Sequence, residues 1–162
     1  MTLDAGTVAW YGGLLSIAAS AVIMSSLRFN PRLFLRHFPP AVRASQPPLS
    51  SRERAIGWSV GLVLLALFVG VPAWSARVAA ERDPSWISVF MHAFLVGMSA
   101  NLTDWLLLDE LWLGLGRPRW ALPPGVTQAD VPFDHRQHFR GFLTGTVRFA
   151  VIAAVAATVA RG

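Results

Sequence analysis

His92, Asn101, Asp104, Asp109 and Glu110 lie within residues 85–113, SWISVFMHAFLVGMSANLTDWLLLDELWL, a run otherwise apolar enough to enter a bilayer. Groups of this kind inside a membrane-spanning helix are costly. They face other helices or a wet cavity, which makes them the first place to look for function. With about 100° per residue in an α-helix, Asn101 and Asp104 fall about 60° apart on one stripe with Gly97 and Leu108. His92 lies about 120° from Asp104 and more than two turns away, outside that site. In the last apolar run, Arg148 falls within about 60° of both Gly141 and Gly145, at a depth of about 10 Å that matches Asp104. A lone Asp or Arg at such depth costs about 2.5–3.5 kcal/mol on insertion scales, and pairing lowers the cost. The expectation is a buried polar contact of Asp104 with Arg148, with Asn101 beside it. The alternative is an Arg148 that snorkels to the headgroups.

A second group is expected at the same membrane face: Asp109 and Glu110 at the end of the third apolar run, then Asp134, His135 and His138 in FDHRQHF. Histidine with carboxylate is the ligand chemistry of zinc, manganese or non-haem iron, so Asp109, Glu110, His135 and His138 are candidate ligands for a divalent metal. With Asp104, the residues Asp109, Glu110 and His138 are also candidate acid–base groups. The spacing is neither HExxH nor a paired ExxH motif. The bland reading is interfacial histidines and acids in water or pairing with Arg136 and Arg140. There is no GxSxG and no Walker loop, and the absence of cysteine excludes disulfides, thiolate ligands and thiol catalysis.

These groups must be positioned by membrane helices. A chain of 162 residues with 54% hydrophobic and 14% charged residues and a mean hydropathy of +0.47 is too apolar for an ordinary soluble domain. Four apolar segments, about 6–27, 57–76, 86–108 and 141–160, each have the roughly 20 residues that cross a hydrocarbon core of about 30 Å. Lipid gives the backbone no hydrogen-bond partners, so they should be helices, and no alternating pattern for a barrel is present. The expected fold is all-α: one polytopic domain, a four-transmembrane-helix bundle with two cytoplasmic loops. The start MTLDAG has no basic n-region and the run after it is long enough to span, so the first helix is expected to stay in the mature chain.

The net charge of +5 comes from fourteen arginines and no lysine, and position matters more than total. Loop 28–56 holds Arg28, Arg32, Arg36, Arg43, Arg52 and Arg54 against Glu53 alone, and loop 114–140 holds Arg117, Arg119, Arg136 and Arg140. The other side has only Arg77, Arg82 and Arg161. The positive-inside bias therefore places both loops in the cytoplasm and both termini outside, in the inner (plasma) membrane. Leu33, Phe34, Leu35 and Phe38 alternate with Arg32, Arg36 and His37, a mix that can lie in the headgroup layer. Arg32, Arg36 and Arg119 are the candidate contacts to anionic phospholipid headgroups. Nucleic acid is not an expected partner, because the basic groups sit where topology requires them.

Pro72 should kink the second span, Ser85 should start the third, and Trp74 and Trp86 should anchor the turn between them. Gly57 with Gly61, and Gly141 with Gly145, form GxxxG at the starts of the second and fourth spans, a spacing that lets helices approach closely. The preceding loops share PRLFLRHFPPAV and PRWALPPGV, as two parallel helical hairpins would, or as chance would.

NLTDWLLLDELWL, RPRWALPPGV and DHRQHFRGFLTG together resemble a family of small uncharacterised bacterial integral membrane proteins, many of them actinobacterial. The resemblance covers the C-terminal third. It implies a four-helix membrane fold and a shared pattern of Asp104, Asp109, Pro124, Gly125, His138 and Gly141, without an activity. Three functions stay open: a non-enzymatic bundle, monomeric or oligomeric, serving assembly, lipid or partner binding; a membrane-embedded enzyme acting on a lipid or other hydrophobic substrate, with Asp109, Glu110, His135 and His138 as metal ligands or as acid–base groups; and an oligomeric small transporter with Asp104 and Arg148 as gating pair and His92 as relay.

Overall fold

The structure, a computed structural model, describes residues 4–160, so Arg161 lies outside the described residues. These residues are helical, with no strand among them. Four helices are long and apolar enough to cross a membrane: Ala5–Phe29, Ser51–Arg82, Trp86–Gly116 and His135–Val159.

Each helix boundary follows from a cap. Asp4 accepts the Thr7 amide at 3.1 Å and starts α1, Ala5–Phe29. Asn30 ends it, and its side chain accepts the Arg32 amide at 3.0 Å to start a 3-10 turn over Pro31–His37. A short α2, Pro40–Ser45, follows with proline at its first position, where a missing N–H costs nothing. Ser50 and Glu53 form a capping box, which starts α3 at Ser51 instead of Gly57 and gives it 32 residues, Ser51–Arg82. That helix runs through Pro72, whose carbonyl accepts the Ser75 hydroxyl at 2.9 Å. Ser85 caps α4, Trp86–Thr103, as expected. Asp134 accepts the Arg136 and Gln137 amides and starts α5, His135–Val159, six residues before Gly141.

α4 does not stop at Leu108. It continues into a π-helix, Asp104–Gly116, that ends at Arg117 in the left-handed region with φ 40°. The Arg117 guanidinium holds this turn by donating to the carbonyls of Gln128 at 3.1 Å and Val131 at 2.9 Å.

Two ends result. At the terminal end the start of α1 meets the end of α3 through an Asp4–Arg82 ion pair, and Trp86 Nε1 donates to Thr158 Oγ1 at 3.2 Å. At the loop end Gln46 Nε2 reaches Pro124 O at 3.1 Å, and the Arg28 guanidinium lies 5.7 Å from the Trp120 ring centre. α4 is the central element, touching α1, α3 and α5. Its apolar stretch is 44% buried, against 6% for α3.

Small residues set these contacts, and of the two GxxxG pairs Gly145 is the glycine that takes part. A Cβ at Gly12 would lie 2.8 Å from Ser99 Cβ, and one at Gly97 2.7 Å from Phe149 Cγ. Gly145 takes the Asn101 amide, whose Cγ would stand 2.9 Å from an added Cβ. Gly57, Gly61 and Gly141 have nothing within 4 Å of an added Cβ, which corrects the expectation of close approach at the first GxxxG pair and leaves Gly145 alone to bear it at the second. Two apolar layers fill the remainder: Leu15, Val96 and Ala100 in the middle, and Ala76, Val89, Ala93, Ala153, Ala156 and Ala157 toward the terminal end.

Candidate functional site

Asn101 is a buried polar group that joins α4 to α5. It is 9% exposed, and its Nδ2 donates to Phe142 O at 3.0 Å and to Thr146 Oγ1 at 3.2 Å. The contact expected beside it does not form. Among the described residues Asp104 and Arg148 make no ion pair or hydrogen bond with each other, and Arg148 is exposed. The reason lies in which face of α5 packs. Phe142, Gly145, Thr146, Phe149, Ala153 and Ala156 define that face, and at about 100° per residue Arg148 lies about 120° from its centre. The α5 face was assigned from Gly141 and Gly145 together, yet only Gly145 is in contact.

The π-helix redirects Asp104. Hydrogen bonds from residue i to i+5 take about one more residue per turn than in an α-helix, so residues five apart come round to a common face. Asp104, Asp109 and Gly114 are five apart. The charges acting on the half-buried Asp104 carboxylate are accordingly those of Asp109 and His138. Asp104 accepts no hydrogen bond from a described residue.

The start of α5 supplies the other half of the site. His138 Nδ1 is 2.8 Å from Asp109 Oδ2, and His135 Nδ1 is 2.6 Å from Glu110 Oε2. Phe133 separates the two pairs, stacked on His138 with ring centres 4.8 Å apart and edge-on to His135 at 4.5 Å. Its ring fits only because residue 114 is glycine, where an added Cβ would come within 2.7 Å of Phe133 Cζ. The first loop adds His37, which also feels Asp109 and His138 and whose carbonyl accepts from Gln137 Nε2 at 3.4 Å. Desolvation and the adjacent Arg36 guanidinium hold the His37 pKa below the ordinary histidine value. Arg36 Nε donates to His37 Nε2 at 2.9 Å, which requires that nitrogen to be unprotonated.

This arrangement can do acid–base chemistry. A carboxylate at Nδ1 fixes the ring and leaves Nε2 as the nitrogen that exchanges a proton. Among the described residues no group of three or more His, Asp or Glu side chains is placed to hold a metal. The four residues expected to take a divalent ion, Asp109, Glu110, His135 and His138, stand as two His–carboxylate pairs with Phe133 between them.

Two of the three expected headgroup arginines stay on the surface. Arg36 and Arg119 are exposed, whereas Arg32 is drawn into the fold. Its Nη2 donates to Pro47 O at 2.8 Å and Pro48 O at 3.3 Å, and its Nη1 lies 3.5 Å from Glu53 Oε1. His92 is buried near the terminal end, away from the loop-end site, as its helical angle implied. His37, Phe133 and Gly114 were not among the expected site residues; the Gly114–Phe133 spacing carried no signal without the π-helix. Comparison with protein-family models, with curated proteins and with solved structures finds no match.

Proposed function

We propose that the chain is an integral membrane protein, a four-helix bundle of the inner membrane with both termini outside, whose loop end binds anionic phospholipid headgroups from the cytoplasmic side. The observation that supports this reading is a division of charge at the loop end. Apart from the half-buried Asp104, the acids there are engaged within the fold: Glu53 by Ser50, Asn30 and Arg32, Asp109 and Glu110 by histidines, Asp130 by Thr127, and Asp134 as the cap of α5. Arg43, Arg52, Arg119, Arg136 and Arg140 are exposed, and their guanidinium groups have no partner among the described residues. Such a surface attracts an anionic leaflet by about 1 kcal/mol per arginine near it.

Native mass spectrometry of protein released from mixed anionic and zwitterionic bilayers tests the reading. Anionic lipid should be retained in preference, and the combined change of Arg43, Arg119 and Arg140 to Gln should abolish the preference. Equal retention of both lipids by the unchanged protein would refute it. The chain has no cysteine, so single-cysteine labelling reports the topology directly. Ser45→Cys should resist a membrane-impermeant maleimide in whole cells, and Glu81→Cys should react.

A second reading, a membrane-embedded enzyme using acid–base chemistry on a hydrophobic substrate, is favoured by one observation. Asp104 carries a half-buried carboxylate without a hydrogen bond beside the Asp109–His138 pair, on a π-helix, and π-helical turns are frequent at functional sites. Loss of a cellular phenotype in Asp104→Asn with unchanged stability would support it; parallel loss of both would return the residue to a packing role.

A further inference from the structure

His92 sits on the second turn of α4 and is 3% exposed, yet its Nε2 has no hydrogen-bond partner among the described residues. Leaving a buried ring nitrogen unsatisfied costs about 1–3 kcal/mol, so the position needs a physical reason. His92 lines a cavity of about 20 Å3 with Asp4, Thr7, Arg82, Asp83 and Ser88 among its walls. A single water needs about 10–15 Å3 and two to four polar partners, and this chamber offers both.

Val89 and Ala93, near His92 on α4, are almost fully buried with Ala153 and Ala157. The chamber itself has Val78 and Ala79 as its apolar lining and a polar roof. Above it the Asp4–Arg82 ion pair joins α1 to α3, with Arg82 Nη1 also 3.0 Å from Thr7 Oγ1. That roof is open to solvent, the two side chains being 41% and 58% exposed. The charged groups facing His92 are Asp4 from α1, Arg82 from α3 and Asp83 from the following turn, whereas α5 meets this layer with Ala153, Ala156 and Ala157.

We propose that this chamber is a proton-binding site, in which one water bonded to His92 Nε2 carries protons in from the terminal end and the protonated ring competes with Arg82 for the Asp4 carboxylate. With His92 neutral, Arg82 holds Asp4 and the ends of α1 and α3 are tied. With His92 protonated, Asp4 lies between two cations. Arg82 is the more exposed of these and the more readily hydrated, so it is the one released. Acid then loosens the terminal end. The proposed topology enters only in saying that this end faces outside the cell; the site itself rests on the cavity and its lining.

Hydrogen exchange of the protein in nanodiscs, open to buffer on both sides, tests the site independently of topology. After correction for intrinsic rates, amides of residues 4–8 and 79–83 should exchange several-fold faster at about pH 5 than at about pH 8, on either side of the ordinary histidine value. His92→Gln should remove the difference, and Asp4→Asn should exchange fast at both values. Persistence of the difference in His92→Gln, or its absence in the unchanged protein, overturns the proposal. Should His92→Gln fail to fold, the 15N shifts of the His92 ring in the unchanged protein decide: a ring that does not titrate between about pH 4.5 and 9 refutes the site.

Discussion

Replacing Gly145 by Ala has opposite signs in two backgrounds if Asn101 fills the notch at that glycine. In the unchanged protein the new Cβ would stand 2.9 Å from Asn101 Cγ and 3.2 Å from its Nδ2, and the amide is fixed by two hydrogen bonds to α5. Overpacking of this kind costs about 1–3 kcal/mol, offset by about 1 kcal/mol from the better helix propensity of alanine. Asn101→Ala alone loses the two bonds, about 0.6 kcal/mol each by the average for interhelical bonds in membranes. The acceptors it leaves are not orphaned, since Thr146 Oγ1 donates to Phe142 O at 2.9 Å. With Asn101 already alanine the obstacle is gone, and Gly145→Ala should become neutral or stabilising by up to about 1 kcal/mol. The cycle therefore predicts a coupling of about 1–3 kcal/mol, with the double variant more stable than the sum of the singles. Unfolding by denaturing detergent in mixed micelles measures all four proteins. Additivity within about 0.5 kcal/mol would refute the contact.

The same assay separates used glycines from unused ones. Gly97→Ala, whose Cβ would meet the Phe149 ring, should destabilise by about 1–3 kcal/mol, whereas Gly61→Ala should be neutral or slightly stabilising. Arg148→Leu should change stability by less than about 0.5 kcal/mol, and a loss of several would restore the discarded pair with Asp104. His138→Ala removes a pair whose side chains are about a quarter exposed and should cost about 1 kcal/mol or less; complete loss of folding would show that the loop end depends on it. With the His92 switch removed by His92→Gln, the Asp4 carboxyl, held below its ordinary pKa of 3.8 by the Thr7 hydroxyl and amide and by Arg82, contributes fully above that value, and the contribution is lost as pH falls through the lower folded value. An acid titration of His92→Gln against His92→Gln/Asp4→Asn should therefore differ above pH 3.8 and converge only below the folded value.

Hydropathy made the four long apolar helices legible, because length and apolar content alone mark them, and Ser85 was readable as a cap. The boundaries were less so. Ser50 with Glu53 and Asp134 with the Arg136 and Gln137 amides extend two helices beyond their apolar runs into polar sequence that hydropathy scores as loop. Asn101 stood out as a polar group in an apolar run, and it makes a buried contact between helices. Asp104 stood out equally, but its partners were assigned at 100° per residue, and nothing in DWLLLDELWLGLG announces a helix wound i to i+5. Gly12 was invisible, and Gly97 was placed on the stripe of Asn101 and Asp104 without its close approach, for another reason: what makes them necessary is Ser99 for the first and Phe149 for the second, each on another helix.

The length of α3 bears on the bilayer the protein could occupy. Its 32 residues amount to about 48 Å against a hydrocarbon core of about 30 Å, an excess that tilting within the usual range of up to about 40° does not absorb. In the proposed membrane orientation, the capping box that starts this helix early would lift its first turns, with Arg52 and Arg54, clear of the oil as a short stalk. A thicker membrane would draw that stalk inward and a thinner one would free more of it, so the spacing between its arginines and the lipid phosphates would register how thick the surrounding bilayer is.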